Sequence, residues 1–102
     1  MPKSKPLVWS LRAEKDLDEI WDYYVRVASP EIADRLLRDI DYAARRVEGN
    51  PLGWRSRNEV KPGLRSILVS PYTIFYRIRS RDTQIVRVLH ERRDFPALFS
   101  RE

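Results

Sequence analysis

Two amphipathic helical stripes laid end to end in the first half of the chain constrain its fold more than any other feature. Ala13, Leu17, Ile20, Tyr24 and Val27 recur at spacings of four, three, four and three, which puts them on one side of a helix while Glu14, Lys15, Asp18, Glu19 and Asp22 fall elsewhere. Ser29-Pro30-Glu31 then supplies an N-cap, a proline at the first helical position and an acid near the positive helix end, so a second helix starts there. Its stripe is Ala33, Leu36, Leu37, Ile40, Ala43, Ala44 and Val47. Gly49-Asn50-Pro51 closes it, because glycine tolerates the left-handed cap and the residue before proline resists helix. The two helices form a hairpin.

What the hairpin packs on is written in short runs of strand formers. Leu7 to Leu11, preceded by Pro6, reads as an opening strand. Pro51 to Gly63 has no sustained period and reads as a loop anchored by Trp54. Three strands follow: Leu64–Val69, Tyr72–Arg79 and Gln84–His90, with connections short enough to imply antiparallel hairpins. Along the middle strand Tyr72, Ile74, Tyr76 and Ile78 share one face and Thr73, Phe75, Arg77 and Arg79 the other. The expected order is β-α-α-β-β-β, an α+β fold with the helical hairpin on one face of a small twisted antiparallel sheet and the arginine-bearing face left for a partner. Residues 1–102 read as a single domain.

Composition removes several function classes. There is no cysteine, so a disulfide framework, a thiolate zinc site and a cysteine nucleophile are excluded. Ile67-Leu68-Val69 is far too short to span a membrane, and Met1–Val8 lacks the apolar stretch of a secretory signal, so a cytoplasmic protein with no membrane partner is expected. Residues 1–50 carry nine Lys/Arg against ten Asp/Glu, whereas 51–102 carry eleven against five. Sixteen of the twenty basic residues are arginine, whose planar fork suits phosphate, carboxylate and aromatic partners. The positive charge is local, and it points to an anionic partner.

Glu59, Arg65, Arg77, Arg87, His90, Arg92 and Arg93 are the polar residues of interest, all in the basic half. His90 with Glu59 offers a general acid/base pair and the arginines offer charge for a scissile phosphate, a minimal set for cutting RNA without a metal. Equally, His90 closes a strand and bonds the backbone. Asp16, Asp18, Glu19 and Asp22 read as a solvated helix face rather than a metal site, and no metal is expected. No glycine-rich phosphate loop or G-x-S-x-G elbow occurs, so no nucleotide cofactor and no serine hydrolase is expected. The tail His90-Glu91-Arg92-Arg93-Asp94-Phe95-Pro96 followed by Ala97-Leu98-Phe99 reads either as a contact element or as a segment docked on the domain.

Taken in order, these segments resemble the ParE toxins of the RelE/ParE toxin–antitoxin superfamily over nearly the whole chain. Ala13-Glu14-Lys15-Asp16-Leu17-Asp18-Glu19-Ile20 is similar to the family's first-helix segment, followed by Tyr23-Tyr24, and Pro51-Leu52-Gly53 to the start of its loop. Gly63-Leu64-Arg65, Pro71 to Arg77, Ile85 to His90 and Arg92-Arg93-Asp94 resemble its strands and tail. The resemblance implies a non-enzymatic toxin that poisons DNA gyrase, and a ParD-like antitoxin that binds it and alone contacts operator DNA. It implies target contacts at Arg65, Arg77, His90, Arg92 and Arg93, and antitoxin contacts at Trp21, Tyr24, Leu37, Arg65 and Arg77. Deleting residues 91–102 should then abolish toxicity and leave the hairpin folded. The alternatives are a RelE-like mRNA endonuclease using Glu59, Arg65 and His90, or an inactive toxin serving only as antitoxin partner or co-repressor. The nuclease pattern is incomplete, with Thr73 where an arginine is usual and Glu91 where some members have a tyrosine.

Overall fold

Ser10 decides where strand gives way to helix. Its hydroxyl accepts from the Ala13 N–H at 3.0 Å and donates to the Val86 carbonyl at 2.9 Å, so one residue caps a helix and ties it to a distant strand. The computed structural model describes residues 5–100. In it β1 (Leu7–Trp9) stops short of the Leu7–Leu11 expected from sequence, and α1 (Leu11–Val27) starts at once. The first half of the Met1–Val8 stretch lies outside the described residues, as do 101–102. Helix α2 (Pro30–Gly49) begins as the sequence dictates, with the Ser29 hydroxyl accepting from the Ile32 N–H at 3.2 Å and Pro30 in the first turn. Trp21 on α1 donates its indole N–H to Asp34 of α2 at 3.1 Å, bridging the hairpin.

Beyond a single 3-10 turn at Pro51–Gly53 come β2 (Arg55–Ser56), β3 (Leu64–Val69), β4 (Tyr72–Ile78) and β5 (Thr83–His90). A short helix α3 (Phe95–Phe99) follows. The strand order is β1-β5-β4-β3-β2. The β2 to β5 pairings are antiparallel, as the short connections require, whereas β1 pairs parallel to β5 with Trp9 opposite Ile85. The sheet is therefore mixed rather than purely antiparallel. No tight turn joins β1 to β5, so nothing imposes the antiparallel direction on them.

The helical hairpin covers one face of the sheet through Ala13, Ile20, Ile40, Ala44 and Val47 against Ile67, Ile74, Tyr76, Ile85 and Val88, all buried. Alternation along β4 sends the next residues to the other face. That face is not open. Phe75 is wholly buried there beneath Phe95 and Phe99, whose rings stand edge-on to it at 4.7 and 4.9 Å. Leu64, Val86 and Leu89 complete this second cluster. The tail thus docks on the domain, with the Asp94 carboxylate accepting from the Ala97 N–H at 3.1 Å to cap α3. Of the arginine-bearing face expected from sequence, Thr73 is buried, Arg77 is half-buried, and Arg79 is occupied by a two-bond pair with Asp82 in the β4–β5 turn.

A second correction concerns Asp16. It is only 4% exposed, not part of a solvated acidic face. A bulge between Phe75 and Tyr76 shifts the β4–β5 register, and the start of α1 lies against the β5 edge that β1 is too short to cover. Asp16 accepts there from the Val88 N–H at 2.9 Å and from Arg87 through Nε at 2.9 Å and Nη2 at 3.1 Å. An acid on the buried side of α1 thus satisfies a strand edge and a buried guanidinium together.

Candidate functional site

Arg65 and Tyr76 face each other across β3 and β4, and both reach for the loop that follows α2. Arg65 donates to the carbonyls of Trp54 at 2.8 Å and Leu52 at 3.4 Å, and the Tyr76 hydroxyl donates to that of Pro51 at 2.5 Å. Trp54, with the Arg46 guanidinium 4.7 Å above its ring, anchors the same segment as expected. Arg65 is therefore engaged in holding the loop. Burial pushes the Tyr76 phenol up from 10.0 to about 12, with the Arg65 charge opposing it. Burial and then the Tyr24 hydrogen bond raise Tyr72 as well.

A raised folded-state pKa on an acid that is neutral when protonated gives stability that is complete below the unfolded value and lost as pH rises through the folded one. The protein should hence lose stability as pH rises above about 10, through Tyr76 up to about pH 12 and through Tyr72 beyond it. Tyr76→Phe is expected to cost about 1 kcal/mol near neutral pH, from the lost bond to Pro51, and to flatten the alkaline loss. Urea unfolding across that pH range measures both effects.

At the end of β5 a different group of charges gathers. Arg12, Asp16, Arg87, His90 and Arg93 line a cavity of about 190 Å³ together with Tyr72. The His90 ring stands edge-on to Tyr72 at 5.5 Å, and its Nδ1 accepts from the Arg92 N–H at 3.2 Å. The histidine thus closes a strand with a backbone bond, one of its two expected roles, and it also lines a cavity. Arg92 and Arg93 are exposed on the turn into α3, with the Arg93 N–H fixed on the His90 carbonyl at 3.0 Å. Arg12 bridges Asp16 at 3.4 Å and Glu19 at 3.7 Å.

Of the five residues expected to contact the target, the fold brings His90, Arg92 and Arg93 together and leaves the other two elsewhere. Arg65 lies opposite Tyr76, and His90 opposite Tyr72, a separation of roughly 13 Å along the strands. Arg77 sits still further along β4, its Nε buried and without a partner among the described residues. Glu59 is exposed and pairs with Arg57 at 3.6 Å. Glu59, Arg65 and His90 therefore do not converge on one reacting atom as nuclease catalysts would have to. Trp21, Tyr24 and Leu37 are half-buried on the hairpin, Tyr24 and Leu37 packed against its core. Among the described residues no group of acids and histidine is placed to hold a metal, and no helix is long and apolar enough to cross a membrane.

Sequence reasoning passed over Arg46, Arg55 and Arg57, which line a larger cavity of about 590 Å³ beside β3 together with Ser66, Thr73 and Glu91. A signal was present in the alternation Arg55-Ser56-Arg57, which puts two arginines on one side of an extended segment. Prolines and glycines on either side make the segment read as irregular loop, whereas Arg55–Ser56 form β2.

Residues 7–95 match the family model described as ParE toxin of type II toxin-antitoxin system, parDE. The chain is 36% identical over 83 residues to Toxin ParE1 of Mycobacterium tuberculosis, covering 80% of this chain and 85% of that one. It is 29% identical over 82 residues to Toxin ParE3 of Caulobacter vibrioides, covering 80% and 82%. Among solved structures it is similar to a chain of the chromosomal ParDE TA system from P. aeruginosa, with TM-score 0.77 and 28% identity over 85% of this chain and 96% of that chain.

Proposed function

Because this chain belongs to the ParE toxins of the type II parDE toxin–antitoxin systems, we propose that it inhibits DNA gyrase by binding it and is neutralised by a ParD-like antitoxin in the cytoplasm. The cationic end of β5 carries the reading. Arg92 and Arg93 present positive charge beside the His90 ring at a turn whose backbone is pinned by two bonds, an arrangement suited to holding a partner surface rather than to catalysis. The separation of Glu59, Arg65 and His90 counts against the nuclease alternative. An antitoxin segment with acidic and apolar residues fits the half-buried aromatics of the hairpin and the flanking arginines, folding as it binds. The P. aeruginosa ParDE complex supports a partner of that kind. Operator DNA would be reached only through the antitoxin.

Purified toxin, gyrase and relaxed plasmid test this directly. Supercoiling should fall, or protein-linked cleaved DNA should accumulate, and added ParD-like antitoxin should restore activity. Exchanging both Arg92 and Arg93 for alanine should weaken inhibition by about tenfold or more, equivalent to about 1.4 kcal/mol, with an unchanged unfolding midpoint. Unaffected gyrase together with early arrest of protein synthesis in cells would instead favour the nuclease.

A further inference from the structure

We propose that the cavity at the end of β5 is a receptor for a single carboxylate side chain, and that gyrase presents that side chain, an assignment that rests on the gyrase reading above. Its volume of about 190 Å³ falls below the range of about 300–1,000 Å³ that encloses small-molecule ligands, so it admits the end of one side chain and no nucleotide. Three arginines line it, Arg12, Arg87 and Arg93, against two acids, Asp16 and Glu19. Arg87 answers Asp16 through Nε at 2.9 Å, and Arg12 lies 3.7 Å from Glu19. With histidine neutral at pH 7, one positive charge is left over. It is that of Arg93, whose guanidinium has no anionic partner among the described residues.

The turn after β5 supplies a second donor. The His90 Nδ1 accepts from the Arg92 N–H at 3.2 Å, so in the neutral ring the proton sits on Nε2, and that N–H has no partner among the described residues. The Arg93 N–H on the His90 carbonyl at 3.0 Å holds the root of the Arg93 side chain beside the ring. A guanidinium fork and an imidazole N–H are thus kept open in the lining of one cavity. A carboxylate has two acceptor oxygens and no donor, so it can take the fork and share the imidazole N–H. Buried Ile20 and Val88 line the cavity too, which partly shields such a contact from water and strengthens it. The surplus of one charge suits a monoanion. A phosphoryl group carries about 1.5 to 2 negative charges, and the second would face Asp16 and Glu19 unanswered. A side-chain amide brings N–H donors of its own toward Arg93 and His90.

The test is an NMR titration of isotope-labelled toxin with three acetylated and amidated tripeptides: Gly-Glu-Gly, Gly-Gln-Gly and Gly-phosphoserine-Gly. The glutamate peptide should move the side-chain signals of His90 and Arg93, the glutamine peptide should not, and the phosphoserine peptide should bind no tighter. Arg93 is exposed, and Arg93→Gln should weaken glutamate binding by about fivefold or more with an unchanged unfolding midpoint. Arg92→Gln removes the same charge beside the cavity but outside its lining, and should lose less. Arg81→Gln makes that change on an exposed residue before the opposite end of β5 and should change little. Glu19→Gln should act in the reverse direction, because it frees Arg12 and leaves two surplus charges. Tighter glutamate binding is expected there, and not in Asp39→Asn on the exposed side of α2. In the supercoiling assay Arg93→Gln should weaken gyrase inhibition and Glu19→Gln should strengthen it. Glutamate-selective shifts with no inhibition of gyrase by the wild-type toxin would overturn the gyrase reading and keep the receptor. Gyrase inhibition without glutamate-selective shifts, equal loss in Arg92→Gln or Arg81→Gln, or tighter phosphoserine binding would overturn the receptor itself. Arg93→Gln that binds the glutamate peptide weakly yet inhibits gyrase as the wild type does would overturn the assignment of the carboxylate to gyrase.

Discussion

Replacing Arg87 by alanine is expected to destabilise the protein by about 3–5 kcal/mol, the range for removing one partner of a buried ion pair. Arg87 is 5% exposed and Asp16 4%, and the two share two hydrogen bonds in the side-on geometry that suits a guanidinium and a carboxylate. Without Arg87, Asp16 keeps the Val88 N–H and the distant edge of Arg12 at 3.4 Å, so the loss should sit at the low end of that range. Arg87→Lys should recover only part of it, because an ammonium cannot make both bonds. Urea unfolding of the three proteins measures this, and a loss under about 1 kcal/mol would place the pair among surface bridges instead. The same substitution should weaken gyrase inhibition, since Arg87 walls the cavity that His90 and Arg93 share. That weakening should exceed what the unfolded fraction explains. The pair joins residues 71 apart in the chain, so it fixes how the α1 start and the cationic end of β5 sit against each other.

The pair also shows where sequence reading stops. Helical period identified α1 and α2 correctly, because each helix buries a stripe that local spacing reveals, and the Ser29-Pro30-Glu31 start is chemistry contained in three residues. The three long strands were legible for the same reason. Asp16 was not. By type it belongs with Asp18, Glu19 and Asp22 on a wet helix face, and only the short β1, which leaves the Val88 N–H uncovered, turns it into a buried acceptor. The parallel β1–β5 pairing is equally non-local. Of the candidate site, His90, Arg92 and Arg93 could be grouped from adjacency alone. Arg65 and Arg77 could not be separated from them, since which end of a strand faces which loop depends on the register of the whole sheet. Arg46, Arg55 and Arg57 come together only once α2, β2 and the β3 edge are in place.

Phe75→Ala is the other substitution expected to have a large effect, about 3–5 kcal/mol for a wholly buried phenylalanine. Its ring is the centre of the second core, with Phe95 and Phe99 edge-on to it and Leu64, Val86 and Leu89 around it. Cutting the chain after Asp94 would strip two of those rings away and should cost a comparable amount. Together the two changes should cost much less than their sum, because both remove the same contacts. Thermal or urea unfolding of the single and combined variants measures the overlap, and strict additivity would mean that α3 does not rest on Phe75. The consequence reaches the toxin's action. Loss of toxicity after deleting residues 91–102 cannot by itself assign the target contact to the tail, since the deletion also uncovers Phe75 and removes Arg92 and Arg93. Phe99→Ala, which loosens the helix and leaves both arginines, separates the two causes. If the arginines carry the contact, Phe99→Ala should lower toxicity only as far as it lowers the folded fraction. Alanine at Arg92 and Arg93 should lower it with the fold intact.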